Sequence, residues 1–216
     1  MKQRILLTGV TGKIMNHKPK ILAIAGPSCG GKTRLAKEIS QYFKHLEPGL
    51  LRLDSYYRVF NHLSIEERSR INFDEPAAVD WELLTQHLKI LKQGGSVFQP
   101  VYDYTTHTRT QKQDSLNPGS LLIVEGLFSL HPRLAKYSDH KIFVQLEMAK
   151  CLDRRIKRDV HERKRSEQSI RHQFTSQVKP MFDLHIAETI DQADLVISGE
   201  ASLPESLKKM KDLLDK

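Results

Sequence analysis

Short apolar runs alternate with amphipathic stretches along most of the chain, and this alternation predicts strands and helices in turn. Residues 21–25 (Ile-Leu-Ala-Ile-Ala) and residues 121–124 (Leu-Leu-Ile-Val) are continuous apolar runs of strand length. Such runs are typical of parallel strands that are buried on both faces, with helices covering the sheet. The pattern therefore predicts an α/β fold with a parallel sheet of about five strands flanked by helices.

The other elements follow from the same pattern. Further strands are predicted at residues 50–53, 141–146 and 193–198. Helices are predicted over five stretches, which are residues 34–43, 81–93, 149–163, 167–190 with a bend at Pro180, and 204–214. Residues 97–104 are rich in β-forming side chains, and we expect them to form a small hairpin with residues after Thr106.

The length of the chain, 216 residues, suits a single domain with one well-buried core. Residues 1–19 hold an apolar patch and two glycines that complete no known fingerprint, followed by a polar linker. We therefore interpret residues 1–19 as an N-terminal extension and residues 20–216 as a single domain.

A glycine-rich segment lies between the first predicted strand and the first predicted helix. It reads G-P-S-C-G-G-K-T and fits the spacing G-x-x-x-x-G-K-[ST] in the strand–loop–helix context that this motif requires. Such a loop turns backbone N–H groups toward phosphate oxygens, and the helix that follows adds the positive end of its dipole. The segment predicts the P-loop NTPase fold and a nucleoside triphosphate held by Gly26, Ser28, Cys29, Gly30, Gly31, Lys32 and Thr33.

Two carboxylates follow other predicted strands. Asp54 comes after residues 50–53, and Glu125 comes directly after residues 121–124. Ligands of open parallel sheets bind at the carboxyl ends of the strands, so these side chains are expected near the phosphate loop. Both residues could also be simple helix caps or turn residues.

Composition narrows the class of protein. The formal net charge is +8, which suits binding of nucleic acid or of a polyanionic nucleotide. No nucleic-acid-binding module is recognisable, so we do not expect nucleic acid as a partner. No apolar run approaches the ~20 residues of a membrane span, so no membrane association is expected. Two cysteines are too few for a disulfide framework and favour the reducing cytoplasm.

An arginine-rich stretch occupies the end of the predicted helix 149–163. Arg155 and Arg158 are three residues apart and share one helix face, and Arg163 and Arg165 follow where the helix should end. One interpretation is a solvated helix on which Asp159 pairs with arginines four residues away. The other is a lid whose arginines close over a triphosphate and exclude water.

Several motifs occur in a fixed order: the phosphate loop, then residues 54–58 (DSYYR), 72–80 (NFDEPAAVD), 100–109 (PVYDYTTHTR), 124–126 (VEG), 154–159 (RRIKRD) and 162–165 (ERKR). In this order they resemble the uridine kinase (uridine–cytidine kinase) family of P-loop kinases, which is related to phosphoribulokinase. The resemblance extends from Ile21 to about Ile197. It implies a helical lid and a hairpin that serves the nucleoside.

The resemblance also implies an activity. The family transfers the γ-phosphoryl group of ATP or GTP to the 5′-hydroxyl of uridine, and of cytidine, in pyrimidine salvage. By analogy Asp54 is the general base, and Asp54 with Lys32, Arg158, Arg163 and Arg165 is catalytic, while Arg155 contacts the donor. Mg²⁺ would be held by Thr33, Asp54 and Glu125, and the nucleoside by Asp54, Tyr57, Phe73, Asp74, Tyr102, His107, Arg158 and Gln173.

One departure from the family pattern weakens the lid interpretation. The family's lid has glycine where this chain has Lys164, and a lysine is strained there if the backbone needs a positive φ. Two alternatives stay open. One is a related small-molecule kinase of the phosphoribulokinase, pantothenate kinase or nicotinamide riboside kinase type. The other, which Lys164 and the net charge of +8 support, is a nucleotide-binding regulatory protein without turnover. The family often forms homo-oligomers, so a tetramer or dimer is a further expectation.

Overall fold

The computed structural model describes residues 18–214. Within that range five parallel strands form one sheet in the order β2-β5-β1-β6-β7, and two antiparallel strands form a separate hairpin. The strands are β1 (Lys20–Ala25), β2 (Gly49–Arg52), β3 (Val97–Asp103), β4 (Thr108–Leu116), β5 (Leu121–Glu125), β6 (His140–Gln145) and β7 (Leu195–Ser198). The predicted parallel sheet of five strands is confirmed.

Helices pack on both faces of the sheet. They are α1 (Lys32–Tyr42), α2 (Ile65–Ser69), α3 (Trp81–Lys92), α4 (Pro132–Ala135), α5 (Met148–Arg163), α6 (Glu167–Gln173), α7 (Lys179–His185) and α8 (Leu203–Leu214). Because neighbouring side chains of a strand point to opposite faces, β1 contributes to two cores. Leu22 packs in the core that holds α1 and α8, whereas Ile21 packs in the core that holds α3.

The order of the strands brings three chain segments together. β5 lies between β1 and β2, with Glu125 opposite both Ile24 and Arg52. All three strands are parallel, so the loops that follow them leave the sheet at the same edge. The phosphate loop after β1, Asp54 after β2 and Glu125 at the end of β5 therefore become neighbours.

The predicted hairpin is confirmed. β3 and β4 pair in antiparallel register from Val97–Leu116 to Asp103–Thr108, with an irregularity between Pro100 and Tyr102. The Arg109 guanidinium of β4 lies 3.1 Å from the Asp80 carboxylate. Asp80 also caps α3 by accepting a hydrogen bond from the Leu83 N–H. This pair ties the hairpin to the start of α3.

The prediction of one bent helix over residues 167–190 is wrong in its extent. The chain forms α6, a π-helical turn at Phe174–Val178, then α7, and finally a 3-10 turn at Ala187–Gln192. Pro180 has no N–H, so the regular α-helical hydrogen bond to residue 176 cannot form. The wider turn immediately before α7 accommodates this loss.

The predicted N-terminal extension falls almost wholly on residues 1–17, which lie outside the described residues. The division of the chain into an extension and one domain therefore stays a prediction. None of the helices within residues 18–214 is both long and apolar enough to cross a membrane.

Candidate active site

A cavity of about 540 Å³ opens at the carboxyl edge of the sheet. Its walls come from the phosphate loop, the turn after β2, the tip of the hairpin, the end of β5 and the arginine-rich helix α5. Every predicted site residue except Gly26 and Gly30 lines this one cavity. The structure thus brings together residues that lie as much as 145 positions apart, from Ser28 to Gln173.

The backbone of the phosphate loop is tightly constrained. Gly26 has φ 138°, and a Cβ there would lie 2.3 Å from the Val144 carbonyl oxygen, so glycine is required. Cys29 has φ 61°, and α1 begins at Lys32 directly after Gly31. The Lys32 ammonium is buried and donates a hydrogen bond to the Pro27 carbonyl at 2.8 Å. The loop is closed around the start of a helix, as anion binding requires.

The carboxylates meet beside this loop. The Thr33 hydroxyl donates to the Glu125 carboxylate at 3.1 Å from Oε1, and Glu125 is buried. Burial raises the pKa of Glu125, and the nearby Asp54 carboxylate raises it further. Asp54 lies in the turn after β2 and accepts hydrogen bonds from the Tyr104 hydroxyl at 3.3 Å and the Tyr57 hydroxyl at 3.5 Å.

The side-chain oxygens beside the phosphate loop are of the kind that binds Mg²⁺ at phosphoryl-transfer sites. Among residues 18–214 no three His, Cys, Asp or Glu side chains are grouped so that they could enclose a metal ion. Mg²⁺ at phosphoryl-transfer sites is usually held by one or two carboxylates together with substrate phosphates and waters. The hydroxyl of Thr33 and the oxygens of Asp54 and Glu125 match that arrangement.

A group of aromatic side chains forms another part of the cavity lining, which we call the aromatic end. Tyr57 lies against Phe73 and Tyr102, with ring centroids 5.0 and 5.4 Å apart. The His107 ring is stacked on Phe73, with an angle of 11° between the rings. Burial lowers the pKa of His107, and the charges of the neighbouring arginines lower it further. A neutral imidazole on a flat apolar wall suits an uncharged planar ligand.

The buried carboxylate of Asp74 also lines this cavity. Asp74 is 8% exposed, and its backbone N–H donates to the Asn72 side chain at 3.1 Å. Burial raises the pKa of Asp74, although Arg155 opposes the shift. Burial of an ionised carboxylate costs free energy, and such a group inside a cavity is a candidate to accept hydrogen bonds from a bound ligand.

The arginines of α5 do not form a solvated helix surface. Asp159 pairs with Arg155 and Arg163, both at 3.6 Å, as the spacing suggested, but Asp159 is fully buried. The Arg155 guanidinium also donates to the Ser28 hydroxyl at 3.0 Å and so joins the helix to the phosphate loop. The interpretation as an exposed helix with weak surface ion pairs is therefore wrong.

Gln173 contacts arginines from this cluster. Its side-chain oxygen accepts from Arg155 at 3.0 Å and from Arg165 at 2.6 Å. The predicted role of Gln173 in nucleoside binding is not tested by these contacts. They do show that its amide oxygen helps to fix the orientation of two guanidinium groups.

Sequence reasoning missed other residues that line the cavity: Arg34, Tyr104, Gly126, Leu127 and Arg154. Tyr104 contacts two predicted catalytic residues. Its hydroxyl donates a hydrogen bond to Asp54, and the Arg163 guanidinium carbon lies 4.5 Å from the centre of its ring. Because Tyr102 and Tyr104 alternate along a predicted strand, the sequence alone is also compatible with a purely structural packing role for Tyr104. However, β3 ends at Asp103, and the turn that follows directs Tyr104 back to the cavity.

Lys164 ends α5 with φ 55° and ψ 33°, which is the left-handed conformation that glycine adopts without strain. We expect Lys164→Gly to raise the free energy of unfolding by about 0.5 to 1 kcal/mol, because relief of strain exceeds the added entropy of the unfolded chain. Chemical denaturation measures this change.

The matched control for Lys164→Gly is Lys157→Gly, an exposed position within the same helix. There the substitution should lower the free energy of unfolding by about 1 kcal/mol. A loss of stability at both positions would contradict the strained backbone at Lys164.

A glycine-rich phosphate loop follows the first strand, one carboxylate ends the adjacent strand β5, and another lies just beyond β2, the next strand along the sheet. This is the arrangement of a P-loop kinase. Comparison with known proteins agrees. The Phosphoribulokinase / Uridine kinase family model matches residues 21–203. The uridine kinase of Erwinia tasmaniensis is 40% identical over 187 residues, covering 84% of this chain and 88% of that protein. The uridine kinase of Shewanella piezotolerans is 41% identical over 189 residues, covering 85% and 89%.

Solved structures share the fold at lower sequence identity. Phosphoribulokinase from Rhodobacter spheroides superposes with a TM-score of 0.62 at 16% identity, covering 84% of this chain and 70% of that one. D-glycerate 3-kinase from Cryptococcus neoformans superposes with a TM-score of 0.63 at 15% identity, covering 86% and 88%. The protein belongs to the phosphoribulokinase / uridine kinase family.

Proposed function

We propose that this chain is a nucleoside kinase that transfers the γ-phosphoryl group of ATP or GTP to the 5′-hydroxyl of uridine and of cytidine. One observation carries the proposal. Asp54 lines the same cavity as the groups of the phosphate loop and the buried Asp74 with its aromatic neighbours. The relatives with about 40% identity are named uridine kinase, which supports the same substrate.

Asp54 serves as the general base. It follows β2 at the edge where Thr33 and Glu125 meet, and the hydroxyls of Tyr57 and Tyr104 orient its oxygens. Burial and the nearby Asp54 charge raise the pKa of Tyr104, so this tyrosine keeps its proton and stays a donor to Asp54. In transfer, the carboxylate accepts the proton of the 5′-hydroxyl as that oxygen attacks phosphorus.

The donor phosphates lie in the glycine loop, where Lys32 and the arginines neutralise charge that spreads over the transferring group. Thr33, Asp54 and Glu125 would hold Mg²⁺, which would supply further neutralisation of the phosphate oxygens. The buried Arg155, anchored to Ser28, fixes the position of the lid over the loop. Closure of the lid would exclude water and prevent wasteful hydrolysis of the donor.

The nucleoside occupies the aromatic end of the cavity. Asp74 accepts hydrogen bonds from the ribose 2′- and 3′-hydroxyls, and the base lies among Tyr57, Phe73 and Tyr102. His107 is neutral at neutral pH and can donate to or accept from the edge of a pyrimidine. A site built to bind two hydroxyls rejects a substrate that lacks one, because a buried polar group is then left unpaired.

A coupled phosphoryl-transfer assay with Mg-ATP and Mg-GTP tests the proposal. The acceptors are uridine, cytidine, 2′-deoxyuridine, adenosine, pantothenate and ribulose 5-phosphate. We expect turnover of uridine and cytidine, with 2′-deoxyuridine poorer by about 100-fold or more in kcat/KM. Exclusive turnover of pantothenate or ribulose 5-phosphate would assign a different kinase. Nucleotide binding without any turnover would indicate a regulatory protein.

Other parts of the proposed function rest on the family and the composition. A role in pyrimidine salvage follows from the proposed substrates. A cytoplasmic location follows from the two unpaired cysteines, of which Cys151 is buried. Assembly into a tetramer or dimer stays a prediction, and sedimentation velocity of the purified protein would measure it.

A further inference from the structure

Asp159 is a fully buried carboxylate surrounded by four arginines. Guanidinium nitrogens lie 3.6, 2.8, 3.6 and 3.8 Å from its oxygens, and they belong in that order to Arg155, Arg158, Arg163 and Arg165. An ionised carboxylate with no exposed surface is stable only when opposite charges surround it. Asp159 and the arginines therefore form one unit, which we call the arginine cluster.

The contacts between Asp159 and the four arginines are mainly ion pairs rather than hydrogen bonds. Among residues 18–214, only the Arg158 Nε atom lies within hydrogen-bond distance of the Asp159 carboxylate, at 2.8 Å from Oδ1. Asp159 Oδ2 and Arg155 Nε are both inaccessible and without a hydrogen-bond partner among the described residues, although they face each other at 3.6 Å.

The outer contacts of the cluster reach three different segments of the chain. Arg155 donates to Ser28 of the phosphate loop at 3.0 Å. Arg163 lies over the ring of Tyr104 at the tip of the hairpin. Arg165 donates to Ser169 of α6 at 3.0 Å. Asp159 is the common inner partner, so its charge links three separate segments around the place where phosphates are proposed to bind.

The balance of charge explains why a carboxylate is needed here. Four arginines and one aspartate carry a formal charge of +3, which is still strongly attractive to a polyphosphate. Without the aspartate the cluster would carry +4 in a partly buried space. Mutual repulsion of the guanidinium groups would then move them outward, away from one another. Displacement of about 1 Å in a catalytic group can cost about 100-fold in rate.

We propose that Asp159 is a positioning residue, the internal counter-ion that holds the four arginines in their places around the phosphate site. A neutral residue at this position leaves the arginines present but wrongly placed. Polyphosphate then replaces the missing negative charge and stabilises the protein strongly, yet transfer is slow. The activity part of this inference rests on the proposed nucleoside kinase function, whereas the binding part does not.

The test compares Asp159→Asn with Asp153→Asn, which removes an exposed carboxylate from the same helix. Thermal unfolding is measured with and without inorganic tripolyphosphate at low ionic strength, and uridine kinetics are measured with saturating Mg-ATP. For Asp159→Asn we expect a lower Tm without ligand and a larger rise in Tm with tripolyphosphate than in the wild type. We expect kcat to fall about 10- to 100-fold, with a smaller change in the KM for uridine. Asp153→Asn should match the wild type in each measurement.

Two results would overturn the proposal. One is a rise in Tm with tripolyphosphate that is no larger than that of the wild type, since a merely structural aspartate gives that result. The other is an unchanged kcat. If wild-type protein turned over no nucleoside, the proposed function would fail, but the tripolyphosphate comparison would still decide the role of Asp159.

A second variant covers the case in which Asp159→Asn does not fold. Asp159→Glu keeps the negative charge and moves it by one methylene, so the fold should persist while the guanidinium groups shift. We expect a kcat at least about tenfold below the wild type together with a rise in Tm with tripolyphosphate equal to that of the wild type. A wild-type kcat in Asp159→Glu would show that the exact placement of this charge is unimportant, and the proposal would be abandoned.

Discussion

Asp54→Asn should lower kcat for uridine by about 1000-fold while binding of the nucleotide survives. Asparagine has nearly the same shape. Tyr57 and Tyr104 contact different oxygens of Asp54, so the amide can accept a hydrogen bond from one hydroxyl and donate one to the other, and the local structure should be kept. It cannot take up the proton of the attacking hydroxyl. Lys32 and the glycine loop, which hold the donor, remain unchanged.

Steady-state kinetics and equilibrium binding of the nucleotide separate the two effects. Asp114→Asn is the matched control, because Asp114 is exposed on β4 and does not line the cavity. Turnover of Asp54→Asn close to that of the wild type would show that the base is another group. Weaker nucleotide binding with an unchanged kcat would limit Asp54 to a role in holding the metal.

The parts of the site that depend on short segments could be predicted from sequence. The phosphate loop needs only a strand, eight residues and a helix, and its glycines are required by backbone geometry that acts within the loop. Asp54 and Glu125 are placed by the strands that precede them, because parallel strands end at one edge. The hairpin follows from β-rich residues on both sides of a short polar turn.

The burial of Asp159 could not be predicted in the same way. Its spacing to Arg155 and Arg163 is equally compatible with an exposed helix. The difference arises where the left-handed backbone of Lys164 turns the chain, so that the Arg165 side chain comes back within 3.8 Å of Asp159. The Arg165 N–H donates to the Asp159 carbonyl, which fixes that turn. Tertiary contacts with Ser28 and Tyr104 then close the cluster.

Asp74→Asn should remove most of the preference for ribose over deoxyribose. The amide can still accept one hydrogen bond, but it lacks the charge that strengthens bonds to both hydroxyls. We expect the KM for uridine to rise about 100-fold, while the ratio of kcat/KM between uridine and 2′-deoxyuridine falls toward about one. Kinetics with both nucleosides at saturating Mg-ATP measure this ratio. A ratio equal to that of the wild type would remove Asp74 from the ribose site.

The same substitution should stabilise the free protein, because burial raises the pKa of Asp74 above its value in the unfolded chain. At a pH between the two values the folded protein binds more protons than the unfolded one, so stability falls as the pH rises. Above the raised pKa the ionised carboxylate destabilises the fold, and asparagine removes that cost. In the wild type, acid should also raise the KM for uridine as Asp74 becomes protonated, whereas Asp74→Asn should lack this component.

Asp103→Asn provides the control of opposite sign for stability. The Asp103 carboxylate accepts hydrogen bonds from Thr105, which lower its pKa, so its charge stabilises the fold at neutral pH and this contribution is lost as the pH falls. Thermal unfolding at pH 7 should therefore show a higher Tm for Asp74→Asn and a lower Tm for Asp103→Asn. A lower Tm in both variants would mean that the Asp74 charge is stabilised by its surroundings. That result would contradict the cost of burying this charge, and the ratio of kcat/KM between uridine and 2′-deoxyuridine would then be the evidence that decides whether Asp74 binds the ribose.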